Sequence, residues 1–135
     1  GSNVVAAEAT AKVDVRFMTI AEGERIDSIM RGLTPVLPGA AIRVEGGINR
    51  PPMERTATTA DLFAQAQRLG AELGLTLTEM GTGGGSDGNF TAAVGCPTID
   101  GLGPCGDGLH THQEYVVAES LPERAALAVR LLQTL

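Results

Sequence analysis

The 135-residue sequence predicts an α/β fold in two parts: half of a small α+β sandwich, then an α/β layer with a mostly parallel sheet. Three features predict it. The first residues alternate with a period of two, apolar residues recur at helical spacing behind Thr or Ser caps, and the character changes after a double proline.

In NVVAAEATAKVDVRF, Val5, Ala7, Ala9, Ala11, Val13, Val15 and Phe17 fall on one face, and Glu8, Thr10, Lys12, Asp14 and Arg16 on the other. This predicts a long strand with one face covered and one facing water or a ligand. Thr19 and Glu22 form a capping box, and Ile26, Ile29, Met30 and Leu33 predict an amphipathic helix lying on that strand. TPVLPG breaks the helix, and AAIRVEGG reads as a second strand.

In INRPPMERT two prolines impose a connector, which puts a boundary near residue 48. Residues 58–73 read as a helix capped by Thr58 or Thr59, with Leu62, Phe63, Ala66, Leu69 and Leu73 inward and Gly74 as its stop. LTLTEM reads as a strand, GTGGGSDG as a loop, NFTAAVG as a short helix and PTIDGLG as a strand. Ser120 and Glu123 make a second capping box, with Pro122 in the first turn of a helix running to Leu135.

Composition excludes several functions. The net charge is −6, the pI is near 4.8, and Lys12 is the one lysine, so no phosphate-binding surface is expected and nucleic acid is not a partner. No apolar run reaches the roughly 18 residues a bilayer requires, and no signal segment opens the chain, so no membrane is expected. Cys96 and Cys105 lack C-x-x-C spacing and read as free thiols, which suits the cytoplasm.

Two loops carry possible chemistry. Gly83, Gly85 and Gly88 fit G-x-G-x-x-G between a strand and a helix, with Asp100 ending the next strand. The helix that follows is too short for a dinucleotide crossover, and Asp87 would repel a pyrophosphate, so dinucleotide binding is the weaker alternative. Two readings remain open: a nest of backbone N–H groups that receives a carboxylate or oxyanion, and a tight turn needing positive φ. The only histidines, His110 and His112, lie in GPCGDGLHTHQEY with Asp107 and Glu114. Imidazole and carboxylate suit a borderline metal, although two histidines in a polar loop are more often solvated or structural.

TGGGSDGNF, PTIDGLGP and GLHTHQEYV ahead of a capped helix, in this order and spacing, resemble the C-terminal part of the di-zinc exopeptidase and amidohydrolase family. That family includes glutamate carboxypeptidase, acetylornithine deacetylase, succinyl-diaminopimelate desuccinylase and aminoacylase. The resemblance implies that residues 1–47 are the second half of a ferredoxin-like lid and dimerisation domain, and residues 48–135 the C-terminal part of a zinc-exopeptidase catalytic domain. It implies a zinc-dependent hydrolase with two zinc ions, acting on N-acyl amino acids or peptides with a free carboxylate, and a homodimer through the lid.

Residue by residue, the resemblance makes His110 the last zinc ligand. His112 becomes a bystander. Asn3 of Asn-Val-Val, Arg16 and Arg50 of Asn-Arg-Pro face the substrate, Arg50 at its carboxylate, and Gly83, Gly84, Gly85, Ser86 and Gly108 bring backbone close to it. Ala6 departs from the proline usual after Asn-Val-Val. No His-x-Asp, bridging Asp or Glu-Glu pair is present, so no catalytic residue is expected here. The chain then reads as an inactive fragment, natural, proteolytic or engineered, with Gly1-Ser2 native or a cloning scar. The alternative is a non-enzymatic association module working through the lid strand.

Overall fold

The computed structural model describes residues 3–134, so Gly1, Ser2 and Leu135, with the expectations attached to them, lie outside it. Its regular elements are α1 (Ile20–Arg31), α2 (Ala57–Glu72), α3 (Gly88–Ala93), β1 (Gly106–Asp107), β2 (Tyr115–Val116) and α4 (Ser120–Leu132).

α1 begins as its sequence predicts: the Glu22 N–H donates to Thr19 Oγ1 at 3.3 Å. The reciprocal half of the box does not form, because the Glu22 carboxylate turns to Arg25, at 2.6 and 2.7 Å. A second acceptor comes from far along the chain, where Glu54 Oε1 takes the Ile20 N–H at 2.7 Å. This satisfies another of the donors that a helix start leaves free.

α2 starts earlier than predicted, on Thr56 rather than Thr58 or Thr59. Thr56 Oγ1 accepts the Thr59 N–H at 3.1 Å and bonds the Thr58 and Thr59 hydroxyls, so all three threonines share one cap. The helix stops where Gly74 takes φ +76°, with Leu75 N–H reaching Gly70 O and Gly74 N–H reaching Ala71 O. That pair of bonds is the Schellman closure, which glycine permits at no steric cost.

The core lies between α2 and α4: Ala66 and Leu69 meet Leu127 and Leu131, with Leu77 closing one side. Leu73, expected inward, is exposed. Gly70 matters here because a Cβ would stand 3.1 Å from the Leu77 side chain. Arg130 pairs with Glu72, and Gln65 Nε2 donates to Thr134 Oγ1 at 3.0 Å, fastening the same two helices.

The predicted sheet is where the structure differs most. Among the described residues the only ladder is the antiparallel pair Gly106 with Val116 and Asp107 with Tyr115. Residues 3–17, 40–46, 75–80 and 97–103 form no ladder, so the parallel sheet is absent among them. A strand needs a neighbour for its N–H and C=O groups, and alternation alone does not supply one. Both faces of residues 3–16 are exposed, with Val5 at 90%, and α1 buries only Gly23, against the Phe17 ring. Leu77, Ile99 and Leu102 do reach the core, so the later apolar segments pack without pairing.

α4 also corrects two expectations. It ends at Leu132, with Gln133 as its cap, and Ser120 is its first residue rather than its N-cap. Ser120 Oγ donates to Val117 O at 2.6 Å and accepts the Cys105 N–H at 2.9 Å, so it ties the hairpin to the helix instead of capping it.

Candidate functional site

The glycine loop is the point on which two distant arginines converge. Arg16 Nη1 donates to Gly83 O at 2.8 Å, and Arg50 Nη1 donates to Ser86 O. The glycines make this approach possible: a Cβ on Gly83 would lie 3.3 Å from Arg16 Cδ, and one on Gly85 would lie 2.7 Å from Arg50 Cδ. None of Gly83, Gly84, Gly85 and Gly88 takes positive φ, which removes the tight-turn explanation for them. An arginine stem passes close to Gly83 and to Gly85, where no side chain stands in its way.

The loop's polarity also differs from a nest that receives anions. Its N–H groups are largely taken by its own side chains: Gly84 by Thr82 Oγ1 at 3.1 Å, Ser86 by Asn89 Oδ1 at 2.8 Å and Gly88 by Ser86 Oγ at 3.1 Å. Its carbonyls face the guanidinium groups. Attraction for an anion therefore resides in the arginines docked on the loop; the fork of Arg50 suits a carboxylate, whereas Nε and Nη2 of Arg16 already face Asp14 Oδ2 at 3.4 and 3.2 Å.

Asn89 holds this arrangement together, and sequence reading missed it. While its Oδ1 takes the Ser86 N–H, its Nδ2 donates to Pro51 O at 2.9 Å, so one side chain fixes the loop beside the backbone that carries Arg50. Phe90 was missed too: the Arg50 guanidinium carbon stands 4.7 Å from its ring centroid. The only sequence signal for either was position, immediately after the glycine loop in SDGNF. Carboxylates lie near both arginines. Asp14 Oδ2 is 3.2 Å from Arg16 Nη2, and Asp87, fully exposed, is 3.8 Å from Arg50 Nη1.

The histidines sit in the hairpin loop between β1 and β2. Gly108 turns the chain at φ +75°, and a Cβ there would meet Gln113 O at 2.8 Å. The Thr111 hydroxyl donates to Gly108 O at 2.7 Å and the Glu114 N–H to Thr111 O at 3.3 Å, so the loop is ordered from within. His110 takes φ +65°, a left-handed conformation unusual for a residue with a Cβ, and its N–H donates to Glu114 Oε2 at 3.3 Å. Histidine is among the side chains that enter this region more often than most. Both imidazoles are exposed.

Among the described residues no three His, Cys, Asp or Glu side chains are grouped to hold a metal ion. One imidazole does not make a site, so these residues alone do not fit a zinc centre. Asn3 is exposed in the N-terminal segment, and both cysteines are free and exposed. Of the sequence-predicted residues, the structure brings together Arg16, Arg50 and residues 83–86, and puts Gly108 and His110 on one loop. A cleft of about 350 Å³ lies elsewhere, lined by Ile20, Pro51, Pro52, Thr59 and Cys96. Its one charged side chain, Glu54, is committed to the start of α1. Among the described residues no helix is long and apolar enough to cross a membrane.

Comparison with known proteins gives consistent matches over nearly all of the chain. Residues 1–134 match the model of Peptidase family M20/M25/M40. The chain is 35% identical to Carboxypeptidase G2 of Pseudomonas sp. (strain RS-16), over 99% of this chain and 33% of that protein. It is 30% identical to the succinyl-diaminopimelate desuccinylase of Methylobacterium radiotolerans, over 97% of this chain and 33% of that protein. The chain thus spans about a third of the length of these curated relatives. No solved structure matches it significantly.

Proposed function

The chain belongs to Peptidase family M20/M25/M40, and from that premise we propose that the whole protein hydrolyses the amide bond of N-acyl amino acids or peptides that keep a free carboxylate. The observation that carries this reading is the convergence of Arg16 and Arg50 on residues 83–86, far apart in sequence and both anchored by carbonyls of one loop. Anchored guanidinium groups bind a carboxylate without first having to be ordered, which is how a substrate is held for attack at a neighbouring bond.

In this proposal Arg50 takes the substrate carboxylate, Arg16 and Asn3 reach it from the lid part, residues 1–47, and Gly83 to Ser86 and Gly108 admit its backbone. His110 supplies one nitrogen ligand to a centre of two zinc ions, and residues of the whole protein outside this chain supply the other ligands and the general base. When bound, such metals polarise the scissile carbonyl and lower the pKa of a bound water. No step follows from the present residues alone. The isolated chain is accordingly inactive, and the whole protein pairs through its lid.

The test is hydrolysis of N-acyl-glutamates in the presence of zinc. The 135-residue chain should give no turnover, and the full-length protein should turn over with a KM that rises about 10- to 100-fold in Arg50→Ala, as loss of a charge-assisted bidentate contact requires. Turnover by the chain alone would overturn the assignment of His110 as its single metal ligand. An unchanged KM in Arg50→Ala would remove the carboxylate clamp.

A further inference from the structure

We propose that Phe90 is a positioning residue for Arg50, and that it commits Arg50 to side-on recognition of the substrate carboxylate through the Nε–Nη2 edge. This rests on the reading of Arg50 as the carboxylate clamp. Three contacts determine where the guanidinium can go. Its stem crosses the α-carbon of Gly85, where any Cβ would stand 2.7 Å from Cδ and 3.1 Å from Nε. Its Nη1 is spent on Ser86 O. Its ring-facing side lies 4.7 Å from the Phe90 centroid.

Each contact removes one freedom. The glycine sets the path, the carbonyl sets rotation within the guanidinium plane, and the aromatic face sets the tilt of that plane. What remains is the Nε–Nη2 edge, which meets no acceptor among the described residues and presents two parallel donors at the spacing of a carboxylate's oxygens. Ser86 and Phe90 belong to one short segment, and Asn89 between them locks that segment to Pro51, next in sequence to Arg50. The platform and the arginine therefore move as one body. Phe90 is itself 45% exposed, so it is not a core residue whose loss would unfold the chain. An aromatic ring attracts a guanidinium through its quadrupole, which an aliphatic side chain of similar size cannot reproduce.

The experiment uses full-length protein and two probes, N-benzoyl-L-glutamate and its α-carboxamide, with the variants Phe90→Leu, Phe90→Tyr and Arg50→Ala. Phe90→Leu should raise KM for the acid by about three- to fivefold, the size of an exposed cation–π contact, with a smaller change in kcat. Phe90→Tyr should restore the original KM. The carboxamide, which keeps the side-chain γ-carboxylate but lacks the α-carboxylate that Arg50 is proposed to hold, should be hydrolysed equally by the parent protein and Phe90→Leu. If Arg50→Ala raises KM for the acid and Phe90→Leu does not, the positioning role is wrong and the clamp stands. If Phe90→Leu impairs both probes equally, Phe90 is merely structural and the proposal falls. Should Arg50→Ala leave KM unchanged, the clamp itself fails, and the role of Phe90 with it.

Discussion

A methyl group added at residue 85 would occupy the path of the Arg50 stem, since its carbon would lie 2.7 Å from Cδ. Gly85→Ala is expected to push the guanidinium off Ser86 and Phe90 and to reproduce most of the KM defect of Arg50→Ala in the full-length protein, without a comparable loss of thermal stability. Gly103→Ala is the control, because it lies outside the site and a Cβ there would meet nothing within 4 Å. A different residue-scale effect contributes to the response to acid. The hydrogen bond from Arg25 holds the Glu22 carboxyl below its ordinary value of 4.5, with the charge of Arg25 adding to it. A depressed carboxyl contributes stability above its unfolded pKa and loses it as pH falls through the lower, folded one. Circular dichroism should therefore show α1 losing helicity on the acid side of pH 4.5, with Glu22→Gln removing that part of the pH dependence. Glu22 is solvent-exposed, so the effect is small and screened by salt.

The helices were legible in the sequence because their signals are local. Thr19 is followed three residues later by Glu22, and Gly74 stands where α2 stops. The cap of α2 was displaced to Thr56 because three nearby threonines compete for one role, and spacing alone does not rank them. Ser120 was misread for a different reason. Its partners, the Cys105 N–H and Val117 O, belong to a hairpin with only two residues in each strand, too short for a periodic signal. Ser120→Ala would remove the acceptor of the N–H of the exposed Cys105, at a cost of about 0.5–1.5 kcal/mol. Faster amide exchange at Cys105, with α4 still helical, is the measurement that checks it. In the core, Leu127→Ala removes a side chain with no exposed surface, at a cost of about 2–5 kcal/mol. With Ala66, Leu69, Leu77 and Leu131 its only buried apolar companions among the described residues, loss of a cooperative thermal transition is expected.

The whole chain exposes 10556 Å² at 13.9 kDa, where a compact monomer of that mass exposes about 6,700 Å². The excess of roughly 3,900 Å² exceeds what one subunit contributes to most obligate interfaces, which bury about 2,000–5,000 Å² over both partners. A second copy on residues 3–17 would not absorb it, which counts against a free-standing association module. The isolated chain should bind a hydrophobic dye and self-associate at micromolar concentration. A monodisperse, dye-negative monomer in light scattering would count against this reading. The strands illustrate why part of the fold was hidden from sequence: alternation in residues 5–17 specifies a face, and the ladder depends on a neighbour. The candidate site was legible only where a motif carried it; Arg16, Arg50 and the glycines could be named, but Asn89 and Phe90 emerge only once the chain has closed on itself. That closure also sets an order in time. Arg16 and Gly83 are 67 residues apart, whereas the α1 ion pair of Arg25 and Glu22 spans three. Helical turns form in about a microsecond, whereas the arginine cluster requires a long loop to close and is expected to form after them. The site thus shares its dependence on long-range closure with the core, where Gln65 meets Thr134 across 69 residues.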